Sequence, residues 1–112
     1  MDKIKIEALA KSLNVEKSKI KKGYRKDTFL YEKEEYLVLE DNEAETLYEE
    51  YLNNYIDDCL EIPDDIRIYF DDEKWKREAR INGNREGALA SYDGYEDSET
   101  IDGIELFIYR IN

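Results

Sequence analysis

Residues 41–60 read DNEAETLYEEYLNNYIDDCL, and their periodicity decides the fold. Ala44, Leu47, Tyr48, Tyr51, Leu52, Tyr55, Ile56, Cys59 and Leu60 recur at steps of three and four. That spacing lays one apolar stripe along a helix. Asp41 is the expected N-cap, the acids behind it suit the positive end of the helix dipole, and Pro63 stops the run. Off the stripe stand Glu43, Glu45, Glu49, Glu50, Asp57 and Asp58, with Asn53 and Asn54 between them. At ~1.5 Å rise per residue these six acids occupy about 24 Å of helix, or one charge per ~4 Å. A single DNA strand carries one per ~3.4 Å of axis. The helix therefore approaches a nucleic-acid strand in linear charge density.

Upstream the chain is basic. Residues 1–26 hold nine Lys/Arg against three Asp/Glu, a net of +6, whereas residues 27–112 carry −18, which together make the −12 of the whole. Ile6, Leu9, Ala10 and Leu13 predict a helix over residues 3–14. A break at Asn14-Val15 and a second short helix over residues 16–24 follow, with Ile20 inward and Gly23 near its end. Two helices joined by a tight turn have the form of a helix-turn-helix. On that reading Lys17, Lys19, Lys21, Lys22 and Arg25 meet phosphates and Ser18 reaches a base edge. Simple packing of two amphipathic helices accounts for the same pattern. So does a basic end that pairs with the acidic body, within one molecule or across a homodimer.

Beyond Asp27 the period shortens to that of strands. Residues 28–31 (TFLY) and 36–39 (YLVL), separated by Glu32-Lys33-Glu34-Glu35, predict a hairpin with a four-residue connection. After Pro63, residues 64–70 lean to a helical turn. Asp71 or Asp72 then caps a basic-faced helix over residues 73–81, with Trp75 and Ala79 inward. Residues 88–92 read as a strand, residues 93–102 as a turn region, and Ile104 to Ile111 as a last strand. The whole is an α+β fold in one domain, residues 1–112. It has a basic helical unit (1–26) and an acidic body (27–112), whose two hairpins share a small antiparallel sheet against the long amphipathic helix.

Composition narrows the function. The 41% hydrophobic content and ten Tyr exclude a disordered acidic tail. Cys59 is the one cysteine, so no intrachain disulfide forms, which suits a reducing cytosol, and on the stripe it reads as a core residue. No apolar run approaches the roughly 20 residues of a membrane span, and the first residues lack a leader's apolar core. The expectation is a cytoplasmic protein with no membrane partner. The absence of His removes the usual general base near neutral pH. No phosphate loop or Ca²⁺-loop spacing is present either. No enzyme, metal or cofactor is expected. The stretch Glu32 to Asp65, with fourteen acids and one Lys, exceeds anything solubility requires and repels itself in a compact state. It points to a basic partner, although a solvated helix face explains part of it. Direct nucleic-acid binding is electrostatically opposed everywhere except at the N-terminal unit.

Four stretches carry two resemblances. Residues 35–44 (EYLVLEDNEA) running into the acidic helix, residues 87–96 (GALASYDGYE) and the ending 107–112 (FIYRIN) resemble small acidic proteins encoded by phages and mobile elements of Gram-positive bacteria. Residues 62–71 (IPDDIRIYFD) are similar to a segment of the Ard-type antirestriction proteins, acidic DNA mimics that occupy the DNA groove of restriction enzymes. The chain is without that family's length and repeated layout. The resemblance implies an anti-CRISPR or antirestriction inhibitor in the host cytoplasm. It would bind a CRISPR effector or restriction enzyme through Glu43, Glu45, Glu49, Glu50, Asp57 and Asp58. A helix-turn-helix regulator, or a mobile-element accessory protein that binds another phage protein, are the alternatives.

Overall fold

A computed structural model describes residues Asp2–Asn112. Five antiparallel strands form one sheet in the order β1-β2-β3-β5-β4. They are β1 (Ile20–Lys22), β2 (Thr28–Tyr31), β3 (Glu34–Glu40), β4 (Asp97–Ile101) and β5 (Ile104–Arg110). The helices are α1 (Asp2–Leu13), α2 (Asp41–Asp58), α3 (Asp64–Arg67), α4 (Asp72–Asn82) and α5 (Arg85–Leu89). The expected α+β fold is present, and the two hairpins share the sheet. The long axis measures 54 Å against 28 and 22 Å for the others.

The sheet is covered on both faces, which follows from its register. β3 and β5 pair Tyr36 with Arg110, Val38 with Ile108 and Glu40 with Leu106, alternating with Leu37–Tyr109 and Leu39–Phe107. Directly opposed residues project to the same side. Tyr36, Val38, Leu106 and Ile108 thus join Phe29, Ile20 and Ile101 under Ala8, Leu9 and Ala10 of α1. Leu39 and Tyr109 lie on the other face with Leu37 and Phe107, against Ala44 and Leu47 of α2 and Leu89 and Ala90 of the α5 end. The N-terminal helix and β1 therefore belong to the same core as the body.

Local chemistry explains where the elements stop. α1 ends on Asn14 in the left-handed region (φ 57°), and Val15 N–H reaches back to Ala10 O at 3.0 Å. That is the 6→1 closure of a Schellman motif, with Asn tolerated where Gly usually sits. β4 and β5 meet through Asp102-Gly103, both at positive φ. This two-residue turn matches the right-handed twist of its strands and demands Gly or a tolerant Asp.

Several elements depart from expectation. No second α-helix follows α1: Lys17–Lys19 is one 3₁₀ turn and the chain enters β1 at Ile20. β1 forms because Lys21 and Lys22 pair with Leu30 and Phe29, a long-range gain local propensity does not contain. The first hairpin's connection is Glu32-Lys33 alone, since Glu34 and Glu35 pair with Tyr31 and Leu30. Residues 88–92 are not a strand. Asn84 accepts a hydrogen bond from Gly87 N–H at 2.7 Å and caps α5. The strand opposite β5 is the polar run Asp97–Ile101 instead. The cap of α2 is Glu40 rather than Asp41, in a reciprocal box with Glu43. α3 and α4 lie where expected, with Asp71 capping α4 through Lys74 N–H. No described helix is long and apolar enough to cross a membrane.

Candidate acidic binding surface

α2 buries Ala44, Tyr48, Leu52 and Ile56. Cys59 is exposed, and Tyr51 and Tyr55 are 43% and 39% exposed, so fewer residues of the stripe are buried than the sequence pattern offers. The difference lies along the helix rather than around it: at about 100° per residue Tyr55 and Cys59 fall between Ala44 and Ile56 round the axis, on the side that is buried earlier in α2.

The six acids singled out on α2 do not share one environment. Glu43 faces α1: its carboxylate accepts from Lys5 Nζ at 3.0 Å and from Glu40 N–H at 2.9 Å. Lys5, 1% exposed, also binds Asp27 at 2.8 Å. Burial opposes the Lys5 charge, but the hydrogen bonds it donates to Asp27 and Glu43 outweigh that cost and hold the ammonium above its usual range. Glu45 and Glu49 are one turn apart and face α4. Arg80 spans them at 3.1 and 2.8 Å, and Lys76 meets Glu49 at 2.5 Å and Asn53 at 3.1 Å. Hydrogen bonds from Lys76 and Arg80 hold the Glu49 carboxyl below the usual carboxylate range. The basic face of α4 therefore lies along the acidic face of α2.

Arg85 is the other anchor. Its guanidinium binds Asp41 at 2.8 Å, Glu45 at 2.7 Å and Glu96 at 3.0 Å, and its Nε–H donates to Tyr109 Oη at 3.1 Å. It also stacks 4.6 Å over the Phe107 ring. Burial opposes this charge, yet the bonds to Asp41, Glu96 and Glu45 raise its affinity for the proton. The Tyr109 hydroxyl donates to Glu96, and burial with that acceptor keeps the phenol neutral well above its ordinary range.

Asp57 meets Arg67 at 3.4 Å, and that arginine is held closer by Asp72 at 2.8 Å. Glu50 and Asp58 have no ion-pair partner among the described residues. Of the six, then, Glu43, Glu45 and Glu49 are bound to internal cations, Asp57 is weakly shared, and Glu50 and Asp58 are free.

Asp58 begins a run of unpaired acids at and beyond the C-terminal end of α2. Asp58, Glu61, Asp64 and Asp65 are all exposed and without an ion-pair partner among the described residues. Beside them the chain exposes Ile66, and Ile68 and Tyr69 are each 80% exposed. Position along the sequence signals this cluster through residues 57–65, but nothing local separates it from the paired acids before it.

The basic residues named for DNA contact are exposed. Lys17, Ser18 and Lys19 lie in the 3₁₀ turn, Lys21 and Lys22 on edge strand β1, and Arg25 in the following loop. Lys22 meets Asp2 at 3.1 Å and Arg25 lies 4.0 Å from Glu35. With no second helix they are not set on a recognition helix. Among the described residues no group of three or more His, Cys, Asp or Glu side chains is placed to hold a metal ion. Comparison of the chain with protein-family models, curated proteins and solved structures gives no match.

Proposed function

We propose that this protein is a non-catalytic, stoichiometric inhibitor of a nucleic-acid-directed defence nuclease, an anti-CRISPR or antirestriction protein. It places an acidic surface in the enzyme's basic nucleic-acid channel. One observation carries the reading: the acids from Asp58 to Asp65 stay unpaired and exposed next to bare Ile66, Ile68 and Tyr69. A solvated helix face accounts for the charges but not for large apolar side chains set among them. Acids steer and orient a basic partner, while the apolar side chains supply area that excludes water. The contact surface assigned is the end of α2 with α3, joined by Glu50, rather than the whole length of α2.

The test begins with tagged protein incubated in host lysate, eluted by a salt step and read by mass spectrometry. The recovered nuclease is then assayed with increasing inhibitor. Recovery of a Cas or restriction subunit, and loss of cleavage complete near equimolar inhibitor, is the expected result. Inhibition should weaken with salt and vanish when Asp58, Asp64 and Asp65 are all changed to Lys. Undiminished inhibition by that triple variant, or recovery of no nucleic-acid enzyme, defeats the proposal.

A further inference from the structure

A groove of about 360 Å³ runs between α2, α4 and the start of α5. Tyr48, Tyr51 and Tyr55 of α2 and Trp75 of α4 line it. Tyr55 and Trp75 are stacked, with ring centroids 5.6 Å apart and planes 18° from parallel, and Tyr51 lies 6.3 Å from Tyr55. Ala79, Gly83, Gly87 and Ala88 supply no bulk to fill the space between. Apolar aromatic surface is left open on a helix whose neighbouring Leu52 and Ile56 are buried.

The surroundings of these rings are acidic. Asp58 follows Tyr55 by one turn of α2, Glu78 follows Trp75 by one turn of α4, and i,i+3 side chains are neighbours on a helix. Neither has an ion-pair partner among the described residues, nor has Glu86 beside Gly87. The unpaired cations of α4, Lys74 and Arg77, stand about 100° and 160° round the helix from Trp75.

The chain fills such a setting with its own arginines. Within the groove Arg80 already lies over Tyr48 at 4.7 Å, and elsewhere Arg67 lies over Phe70, Arg85 over Phe107 and Arg110 over Tyr92, at 3.8–5.7 Å. Each of these guanidinia also meets a carboxylate. Among the described residues no Lys or Arg covers Tyr51, Tyr55 or Trp75. Tyr55 and Trp75, each followed one turn on by an unpaired carboxylate and neither covered by a cation of the chain, complement an external one. A guanidinium suits the place best: it is planar, stacks on aromatic faces and forks to a carboxylate.

We propose that the groove receives an arginine side chain from an exposed segment of a basic partner protein, stacked on the Tyr55–Trp75 pair and bound to Asp58 or Glu78. The assignment rests on the inhibitor reading only for who that partner is, and its test needs no nuclease.

Trp75 is the single tryptophan, so its emission reports on the groove alone. The full chain is titrated with an acetylated pentapeptide carrying two arginines, and with the same peptide carrying citrulline, which keeps the shape and removes the charge. A saturable change in Trp75 emission is expected with arginine and a response about ten-fold weaker with citrulline, as loss of a cation–π contact and an ion pair requires. Tyr55→Leu should lose the response, with Tyr51→Leu as the second variant if the first does not fold. Asp58→Asn combined with Glu78→Gln should weaken it several-fold, and Glu105→Gln, on the sheet, should not. Equal response to citrulline, no saturation with arginine, or full response in both tyrosine variants overturns the proposal. Peptide binding in a protein that inhibits no nuclease supports the groove while removing the inhibitor reading.

Discussion

Glu45 and Asp58 are both acids of the same helix, about three and a half turns apart, yet they belong to different parts of the molecule. Around Glu43, Glu45 and Glu49 the carboxylates are tied to Lys5, Lys76, Arg80 and Arg85 and hold α1, α4 and α5 against α2. Around Asp58, Glu61, Asp64 and Asp65 the same side-chain chemistry has no internal partner among the described residues and sits beside exposed Ile68 and Tyr69. Charge density alone does not separate structure from recognition. The distribution of the counter-charges does.

The largest effect expected from breaking the paired region is at Lys5. Lys5→Met leaves Asp27 and Glu43, both largely screened from water, without their cation. Removing one member of a buried pair costs about 3–5 kcal/mol, and the partial exposure of Glu43 places this at about 3 kcal/mol, read as a shift in the urea midpoint at pH 7. The effect is pH-dependent in a set direction. The folded pKa of Lys5 is raised, so its stabilisation is complete below the unfolded value near 10.5 and is lost as pH rises through the folded one. Tyr36 and Tyr109 are also raised, chiefly by burial and then by their bonds to Glu34 and Glu96, and they add to the same alkaline loss. Wild type and Lys5→Met should therefore converge at high pH. A constant gap would show that packing, not charge, carries the Lys5 contribution.

Arg85→Ala comes next, at about 2–3 kcal/mol, because it unpairs Asp41 and Glu96, leaves Glu45 with Arg80 alone, and removes a donor to Tyr109 and a stack on Phe107. Thermal unfolding of this variant beside Arg85→Lys separates fork geometry from net charge: Lys should recover less than half. At Glu49 the sign reverses. Its folded pKa lies below the unfolded 4.5, so its contribution is present above that value and lost as pH falls through the folded one. The side chain is 41% exposed, and solvent screening keeps the effect below about 1 kcal/mol. Glu49→Gln should accordingly lower stability at pH 7 and approach wild type near pH 2.

How much of this was legible follows the range of the interactions. The α2 stripe, the Asn14 break, the Asp71 cap and the β5 alternation are local patterns, and each was read close to its place. Residues 16–24 have in sequence the form of a helix with Ile20 inward and Gly23 near its end, yet pairing to β2 across the sheet decides the segment. Asp97–Ile101 has a turn's composition and becomes a strand because β5 lies beside it. Among the candidate acids the same limit applies. The acidic face of α2 and the basic face of α4 were both visible, but that Glu49 meets Lys76 is a contact across 27 positions, which no spacing rule contains. Tyr51, Tyr55 and Cys59 were placed in the core by period, and only the reach of α4 decides that they are not.

The smallest expected effect sharpens the comparison most. Asp64→Asn with Asp65→Asn removes two exposed acids that have no ion-pair partner among the described residues, close to Asp58 and Glu61. If these charges serve recognition, the folded chain bears their mutual repulsion and gains nothing from them. Neutralising them should then leave stability unchanged or raise it by a few tenths of a kcal/mol at low ionic strength. The screening length falls from about 30 Å at 0.01 M to about 10 Å at 0.1 M and about 3 Å at 1 M, so the gain should shrink steadily as salt is added. The same substitutions at Glu45 and Glu49 should lower stability at every salt concentration, since their partners are held close. A loss of stability in Asp64→Asn/Asp65→Asn would place that end of the molecule with the structural acids and remove it as the proposed recognition surface.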